Sequence, residues 1–156
     1  MSEATVRATT TVTESIVVAR PPEAVFDWTQ DFSRRRGWDR SILAAEVIEG
    51  APLPRVRVRA AGGLRAIFRY RQFSRGRATS LVMEEVESWL ISGGGGSWSY
   101  EPCDVGTRWT QTNTLTLKAG AWRRLLAPLV RWQLRTSTRH AMAKAKRLLE
   151  TTPPAR

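Results

Sequence analysis

"LVRWQLRTSTRHAMAKAKRLLE", residues 129 to 150, repeats its apolar side chains every three or four positions. Val130, Leu134, Ala141, Ala145 and Leu148, with Met142 and Leu149 beside them, make one stripe, and Arg135, Arg139, Lys144 and Lys146 lie away from it. That spacing belongs to a helix with a single apolar face. The pattern reaches back to about Ala121, but Pro128 has no N–H to give to a helix interior, which predicts a kink or a fresh start near Ala127. The whole segment would be a rod of ~45 Å.

Upstream the period changes to two. Strands are expected at about 41 to 49, 55 to 60, 64 to 74, 78 to 87, 89 to 100 and 107 to 118, separated by "GAPLP", "AGG", "SRGR" and "EPCDVG". "TTTVTESIVVA" (9 to 19) reads as a first strand. "RPPEAVFDWTQD" (20 to 31) then opens a helix with Pro22 near its start and Glu23 in its first turn, and "FSRRRGWD" (32 to 39) is a second short helix or turn ending around Gly37. The class is therefore α+β: a strand, two short helices, six antiparallel strands and one long C-terminal helix. One helix can cover about seven strands only if the sheet curls around it, and the curl leaves a hollow.

The bounds agree. A chain of 156 residues, 42% apolar and 25% charged, is the size and composition of one ordinary globular domain. A core from about 10 to 150 is expected, with flexible ends at 1 to 8 and 151 to 156. No apolar run approaches the ~18 residues of a membrane span, and "MSEATVRATT" lacks a basic-plus-apolar signal region, so the expected location is cytoplasmic. Cys103 is the single cysteine and His140 the single histidine. No disulfide, metal site or cofactor is expected from that inventory. Asp104 beside Cys103 disfavours a reactive thiolate, and the helical phase of His140 puts it with Gln133, Lys144 and Arg147 on the outer flank.

The net charge of +11 comes from 22 arginines and only 3 lysines against 14 acidic residues. Arg55, Arg57, Arg59, Arg65, Arg69, Arg71, Arg75 and Arg77 fall between Gly50 and Met83, where no acidic residue occurs. Because arginine alternates there with apolar residues, as in "RVRVRA", the arginines line an outer, solvated sheet face. A nucleic acid or an anionic membrane is the alternative partner for that face, although no zinc, RRM-type or KH-type motif accompanies it.

Taken together, the element order, "ARPPEAVFDWTQDFSRRRGWD" (19 to 39), "YEPCDVGTRWTQTNTL" (100 to 115) and "PLVRWQLRTSTRHAMAKAKRLLE" (128 to 150) resemble the SRPBCC superfamily. The nearest likeness is to its polyketide cyclase/dehydrase-like branch, related to START domains and the birch-pollen-allergen fold. The likeness spans about Val12 to Glu150, and its motifs (Pro22, Val25, Trp28, Phe32 to Trp38, Gly106-Thr107, Leu149-Glu150) occupy structural positions. It implies a helix-grip fold with an elongated apolar cavity between sheet and helix, used by members that carry lipids, sterols, plant hormones or polyketides and by some enzymes. "SGGGG" (92 to 96) departs from it, being richer in glycine than the family's usual strand at that place. Gly93 to Gly96 are read as a bend or bulge, with added ligand space as the alternative. No Lys-Ser/Thr follows them, so a phosphate-cradling loop lacks its parts.

Strand parity then selects the cavity wall. In "TRWTQTNTLTL" (107 to 117) Trp109, Gln111, Asn113, Leu115 and Leu117 share one face and threonines most of the other, so the Trp109 face is the inward one. The same parity turns Phe68, Tyr70, Gln72, Met83, Trp89 and Ile91 inward, while Trp28 and Trp38 read as helix-packing residues. The expected ligand-binding set is Phe68, Tyr70, Trp89, Ile91, Trp109 and Leu115 as wall, with Gln111 and Asn113 as polar anchors satisfied by each other, by water or by ligand. No catalytic set emerges. Tyr70 is the candidate proton donor for a cyclisation or dehydration, but no carboxylate pair accompanies it. The expected function is binding or carrying a small, largely apolar molecule. The alternatives are a polyketide cyclase/dehydratase using the same cavity and a basic-surface interaction protein. Both a monomer and a dimer are compatible with the pattern.

Overall fold

The computed structural model describes residues 7–153; the expectation of flexible ends falls largely on residues outside that range. Strand β1 (Thr9–Val18) is followed by helices α1 (Pro22–Thr29) and α2 (Phe32–Trp38). Strands β2 (Ile42–Glu49), β3 (Arg55–Ala60), β4 (Arg65–Ser74), β5 (Ala78–Glu87), β6 (Ile91–Cys103) and β7 (Gly106–Leu117) come next, and α3 (Ala121–Leu125) and α4 (Ala127–Thr151) close the chain. The seven strands form one antiparallel sheet in the order β1-β7-β6-β5-β4-β3-β2. Chain order is kept except that β1 joins the far edge beside β7, which curls the sheet around α4. The fold is α+β, of the helix-grip kind.

Local chemistry places the breaks. Pro22 opens α1, where its missing N–H has no intrahelical acceptor to lose. At the start of α2, Asp31 accepts from Ser33 N at 3.0 Å and Ser33 Oγ at 2.5 Å, and these bonds hold its carboxyl below the usual carboxylate range. Pro128 sits in the first turn of α4, so the C-terminal rod is two helices joined at Leu126. The outer face of β1 and β7 is a ladder of hydroxyl pairs, Thr9–Thr116, Thr11–Thr114 and Thr13–Thr112 at 3.0 to 3.1 Å and Ser15–Thr110 at 2.6 Å. That arrangement leaves the Trp109 parity facing inward.

The end of α4 is latched to β1. Glu150 accepts from Ala19 N at 2.9 Å and from Lys146 Nζ at 2.6 Å, and Lys146 also donates to Val17 O. Glu14, on the inner parity of β1, is met by Arg135 and Arg139 from α4. Ala8 O accepts from Leu117 N, and Thr151 still belongs to α4, so both described margins of the chain are tied down.

Two irregularities shape the interior. A register shift between Tyr70 and Gln72 leaves Gln72 exposed and turns Phe73 inward against Tyr70 and Phe26, which corrects the simple parity expected for β4. Pairing between β5 and β6 stops at Val82–Gly95. Beyond it β5 follows β4, with Glu85 at φ 47, and β6 follows β7. The glycine run lies at this parting. A Cβ on Gly94 would collide with Thr114 O and one on Gly95 with Leu81 O, whereas one on Gly93 would meet nothing within 4 Å. Glycine is needed at Gly94 and Gly95 because the backbones of β7 and β5 press close on β6.

Half of the eight arginines of this face are held in ion pairs. Arg55 meets Glu49 at 2.6 Å and Glu84 at 3.4 Å, Arg57 meets Glu46 at 2.9 Å, Arg69 meets Glu84 at 2.7 Å, and Arg75 meets Asp27 at 2.6 Å. Arg59, Arg65, Arg71 and Arg77 are exposed. The acids come from β2, β5 and α1, outside the window that had looked purely basic.

Candidate functional site: an apolar cavity with a donor-rich end

A cavity of about 690 Å³ lies between the concave sheet and the first half of α4. Val56 and Val58 of β3, Phe68 and Tyr70 of β4, Leu81 and Met83 of β5, Ile91 of β6 and Leu115 of β7 form its sheet side, and Leu126, Leu129, Val130 and Leu134 its helix side. Gly95 and Gly96 also line it, so the glycine run both admits the neighbouring strands and vacates wall volume.

Of the residues expected from parity, Phe68, Tyr70, Ile91, Gln111, Asn113 and Leu115 come together on this wall. Trp89 also touches the cavity, but it lies in the bend before β6, is 57% exposed, and stacks on Trp122 with ring centroids 6.1 Å apart; it is a rim residue and not strand wall. Trp109 is not on the wall. It is fully buried and packs against Trp38, Trp98 and Tyr100 at centroid separations of 5.8, 5.5 and 6.4 Å, in the filled part of the core. Trp28 packs on Trp38 at 6.0 Å. Leu148, placed on the apolar stripe, is 37% exposed, and Thr138 takes a buried place on that face.

Two amide side chains of β7 satisfy each other in part. Asn113 Nδ2 donates to Gln111 Oε1 at 3.1 Å and to Thr138 Oγ1 at 3.3 Å, and Asn113 Oδ1 accepts from Trp98 Nε1 at 3.5 Å. Gln111 Nε2 is buried without an acceptor. A second chain of hydrogen bonds runs from Tyr70 Oη to Gln30 Oε1 at 2.9 Å, from Gln30 Nε2 to Tyr100 Oη at 2.8 Å, and from Tyr100 to Thr29, whose hydroxyl donates to Val25 O. Burial pushes the Tyr70 phenol up to about 12, with the Arg35 guanidinium working against it, and burial raises Tyr100 as well.

Sequence reasoning missed Arg35. It lines the cavity at 8% exposure, with its guanidinium 4.6 Å from the Trp98 ring centroid, 4.8 Å from Trp38 and 5.5 Å from Phe32. Its Nη2 donates to Thr29 O at 3.1 Å and its Nε has no acceptor. The signal was present in the helical phase: Arg35 is three residues from both Phe32 and Trp38, on the apolar face of α2, while Arg34 and Arg36 point to solvent. His140 is exposed and away from this wall. Among the described residues no group of three His, Cys, Asp or Glu could hold a metal ion, and no helix is long and apolar enough to cross a membrane.

A curled sheet gripping one helix around an apolar hollow defines the helix-grip class. The chain belongs to the family described as "Polyketide cyclase / dehydrase and lipid transport", whose model matches residues 9–150. The fold is similar to that of the Zhui aromatase/cyclase from Streptomyces sp. R1128, with a TM-score of 0.79 at 13% identity over 92% of this chain and 94% of that one. TTHA0849 from Thermus thermophilus gives 0.75 at 19% identity, covering 91% and 97%. A START superfamily protein from Mycobacterium smegmatis gives 0.65 at 15%, covering 86% and 92%. No curated protein matches the sequence.

Proposed function

We propose that this protein binds a small, largely apolar molecule in the cavity between the sheet and α4, and that it acts as a carrier or receptor for that molecule. The observation that carries this reading is the cavity itself. At about 690 Å³ it is in the range of small-molecule sites, and its wall is mainly aliphatic and aromatic, with Arg35, Gln111 and Asn113 among its polar groups. The family description, which includes lipid transport, supports the same use. A cytoplasmic location fits a chain whose single cysteine, Cys103, has no disulfide partner.

The second reading, a cyclase or dehydratase working in the same cavity, draws on the family description and on the aromatase/cyclase neighbour. Its chemistry has less support from the side chains. The Tyr70 proton is donated to Gln30 and its phenol is pushed up to about 12. Asp39, the one carboxylate on the wall among the described residues, is turned to Ser41 N and Oγ at 3.0 and 2.5 Å. An electrostatic partner for the arginine face has less support again, because Arg55, Arg57, Arg69 and Arg75 already hold carboxylates.

The test is native mass spectrometry of freshly purified protein against the denatured chain. A reproducible non-covalent adduct of small-molecule mass, lost when Leu115→Trp fills the hollow, is the expected result. A wild-type chain that carries no adduct and takes up no apolar probe overturns the reading.

A further inference from the structure

Arg35 is a buried cation with no carboxylate paired to it. Among the described residues no ion pair within 4.0 Å includes it, and Asp39, one helical turn away and also on the wall, is committed to Ser41. Burying a charge is costly unless it is paired and hydrogen-bonded. The faces of Trp38 and Trp98 offset part of that cost by cation–π attraction, but rings accept no hydrogen bonds in the guanidinium plane. Of its five N–H groups, the backbone acceptor Thr29 O occupies one on Nη2, and Nε has none.

The imbalance extends across the same end of the cavity. Trp98, under Arg35, reaches Asn113 Oδ1 through its Nε1, and Asn113 in turn occupies Gln111 Oε1, which leaves Gln111 Nε2 as a second buried donor without an acceptor. Gln30 Oε1 accepts from Tyr70 and Tyr100 Oη from Gln30, so the one neutral oxygen that this chain leaves to Arg35 is the Tyr70 hydroxyl, which carries no charge to match the guanidinium. Trp28, Trp38 and Trp109 also carry unpartnered Nε1 groups, but they do not line the cavity. The hollow therefore holds a surplus of buried donors at Arg35 and Gln111; Asp39 and Arg40, the other charged residues on its described wall, follow α2, with Arg40 exposed, and aliphatic and aromatic side chains make most of the remainder.

We infer that the ligand is an amphipathic organic acid, its apolar body in the hollow and its carboxylate directed to Arg35, with Gln111 as a second donor. A carboxylate supplies the negative charge and the lone pairs that this end lacks, and charge-assisted hydrogen bonds in a water-poor site are the strong ones. The inference rests on the cavity reading above and narrows it to one head-group chemistry.

The experiment is displacement of the neutral fluorophore N-phenyl-1-naphthylamine by dodecanoate and by dodecanol, at a pH above the carboxylate range. Wild-type protein is expected to prefer the acid by about tenfold or more, the size of one hydrogen bond to a charged group. Arg35→Met, which keeps length and apolar volume, should abolish that preference by weakening dodecanoate far more than dodecanol, and Arg35→Lys should keep part of it. Equal affinity of acid and alcohol in the wild type, which needs no variant to fold, overturns the inference and leaves the cavity reading standing. Equal losses for both ligands in Arg35→Met overturn it too, because they mark Arg35 as a packing residue. Failure of the fluorophore and of both ligands to bind overturns the cavity reading itself, and the inference with it.

Discussion

The two halves of α4 face the same sheet and meet opposite interiors. Toward its C-terminus, Ala141, Met142, Ala145 and Leu149 pack into a solid cluster with Val18, Phe26, Trp38, Tyr100 and Trp109. Toward its N-terminus, Leu129, Val130 and Leu134, with Leu126 just before the helix, line the cavity. The helix alone does not separate the two regions, since Met142 and Leu149 of the filled cluster are as large as the leucines that face the hollow. What decides is the sheet. To the cluster that holds Ala141 and Ala145 it contributes Trp109, Tyr100 and Trp98, whereas to the wall shared with Val130 and Leu134 it contributes Val56, Val58, Gly95 and Gly96. The hollow is set by where the strands place tryptophan and where they place glycine.

If that contrast holds, the largest effect comes from emptying the filled half. Trp109→Ala removes a fully buried indole held by three aromatic neighbours and should lower unfolding free energy by about 3–5 kcal/mol in chemical denaturation. Leu134→Ala, beside space that is already open, should lower it by only about 1–2 kcal/mol. Similar losses at both positions would mean that the cavity closes in solution.

Overpacking reverses the test. Ala145→Leu inserts volume where none is free and should destabilise by about 1–3 kcal/mol. Leu115→Trp inserts more volume into the hollow and should change stability by less than about 1 kcal/mol, while apolar-probe binding falls by about tenfold or more.

The glycine run sharpens the comparison within one strand. Gly94→Ala would place a methyl against Thr114 O, so β6 and β7 must separate, a loss of about 1–3 kcal/mol by thermal or chemical melting. Gly93→Ala meets open space and should stay within about 0.5 kcal/mol of wild type. Equal effects at the two positions would show that flexibility of the run, and not close backbone approach, is what glycine provides.

Much of this was legible in the residues. Alternation in "RVRVRA" and the threonine face of "TRWTQTNTLTL" fixed strand parity for β3 and β7, and Pro128 marked where the C-terminal rod restarts. Parity failed where the ladder is irregular. The shift after Tyr70 exposes Gln72, and the bend at Ser88 to Leu90 takes Trp89 off the strand and onto the rim. Inward parity also does not separate wall from core, because that depends on what faces a residue across the fold: Trp109 and Leu115 share a face of β7, but Trp109 meets Trp38 and Leu115 meets space. Arg35 stayed hidden because "FSRRRGWD" reads only as a short helix or turn, and only the phase of a seven-residue helix distinguishes the middle one of three successive arginines.

The smallest effect expected is at the latch that holds the filled end shut. Glu150 accepts from Lys146 and from Ala19 N, and these bonds, the lysine's first, keep its carboxyl below the usual carboxylate value. A carboxyl depressed in the folded state binds its proton more readily in the unfolded chain. Its stabilising contribution is therefore present above the unfolded value, near ~4.3, and disappears as pH falls through the lower folded value. The pair is partly exposed, so the contribution is expected to be roughly 0.5 kcal/mol near neutrality. Glu150→Gln should accordingly melt slightly below wild type at neutral pH, and the two curves should converge under acid conditions. Because the latch lies beyond the filled half, the variant should bind apolar probes as wild type does. A Glu150→Gln protein that lost probe binding while keeping its stability would show that the C-terminal end of α4 transmits its position to the hollow, and that the two halves are not independent.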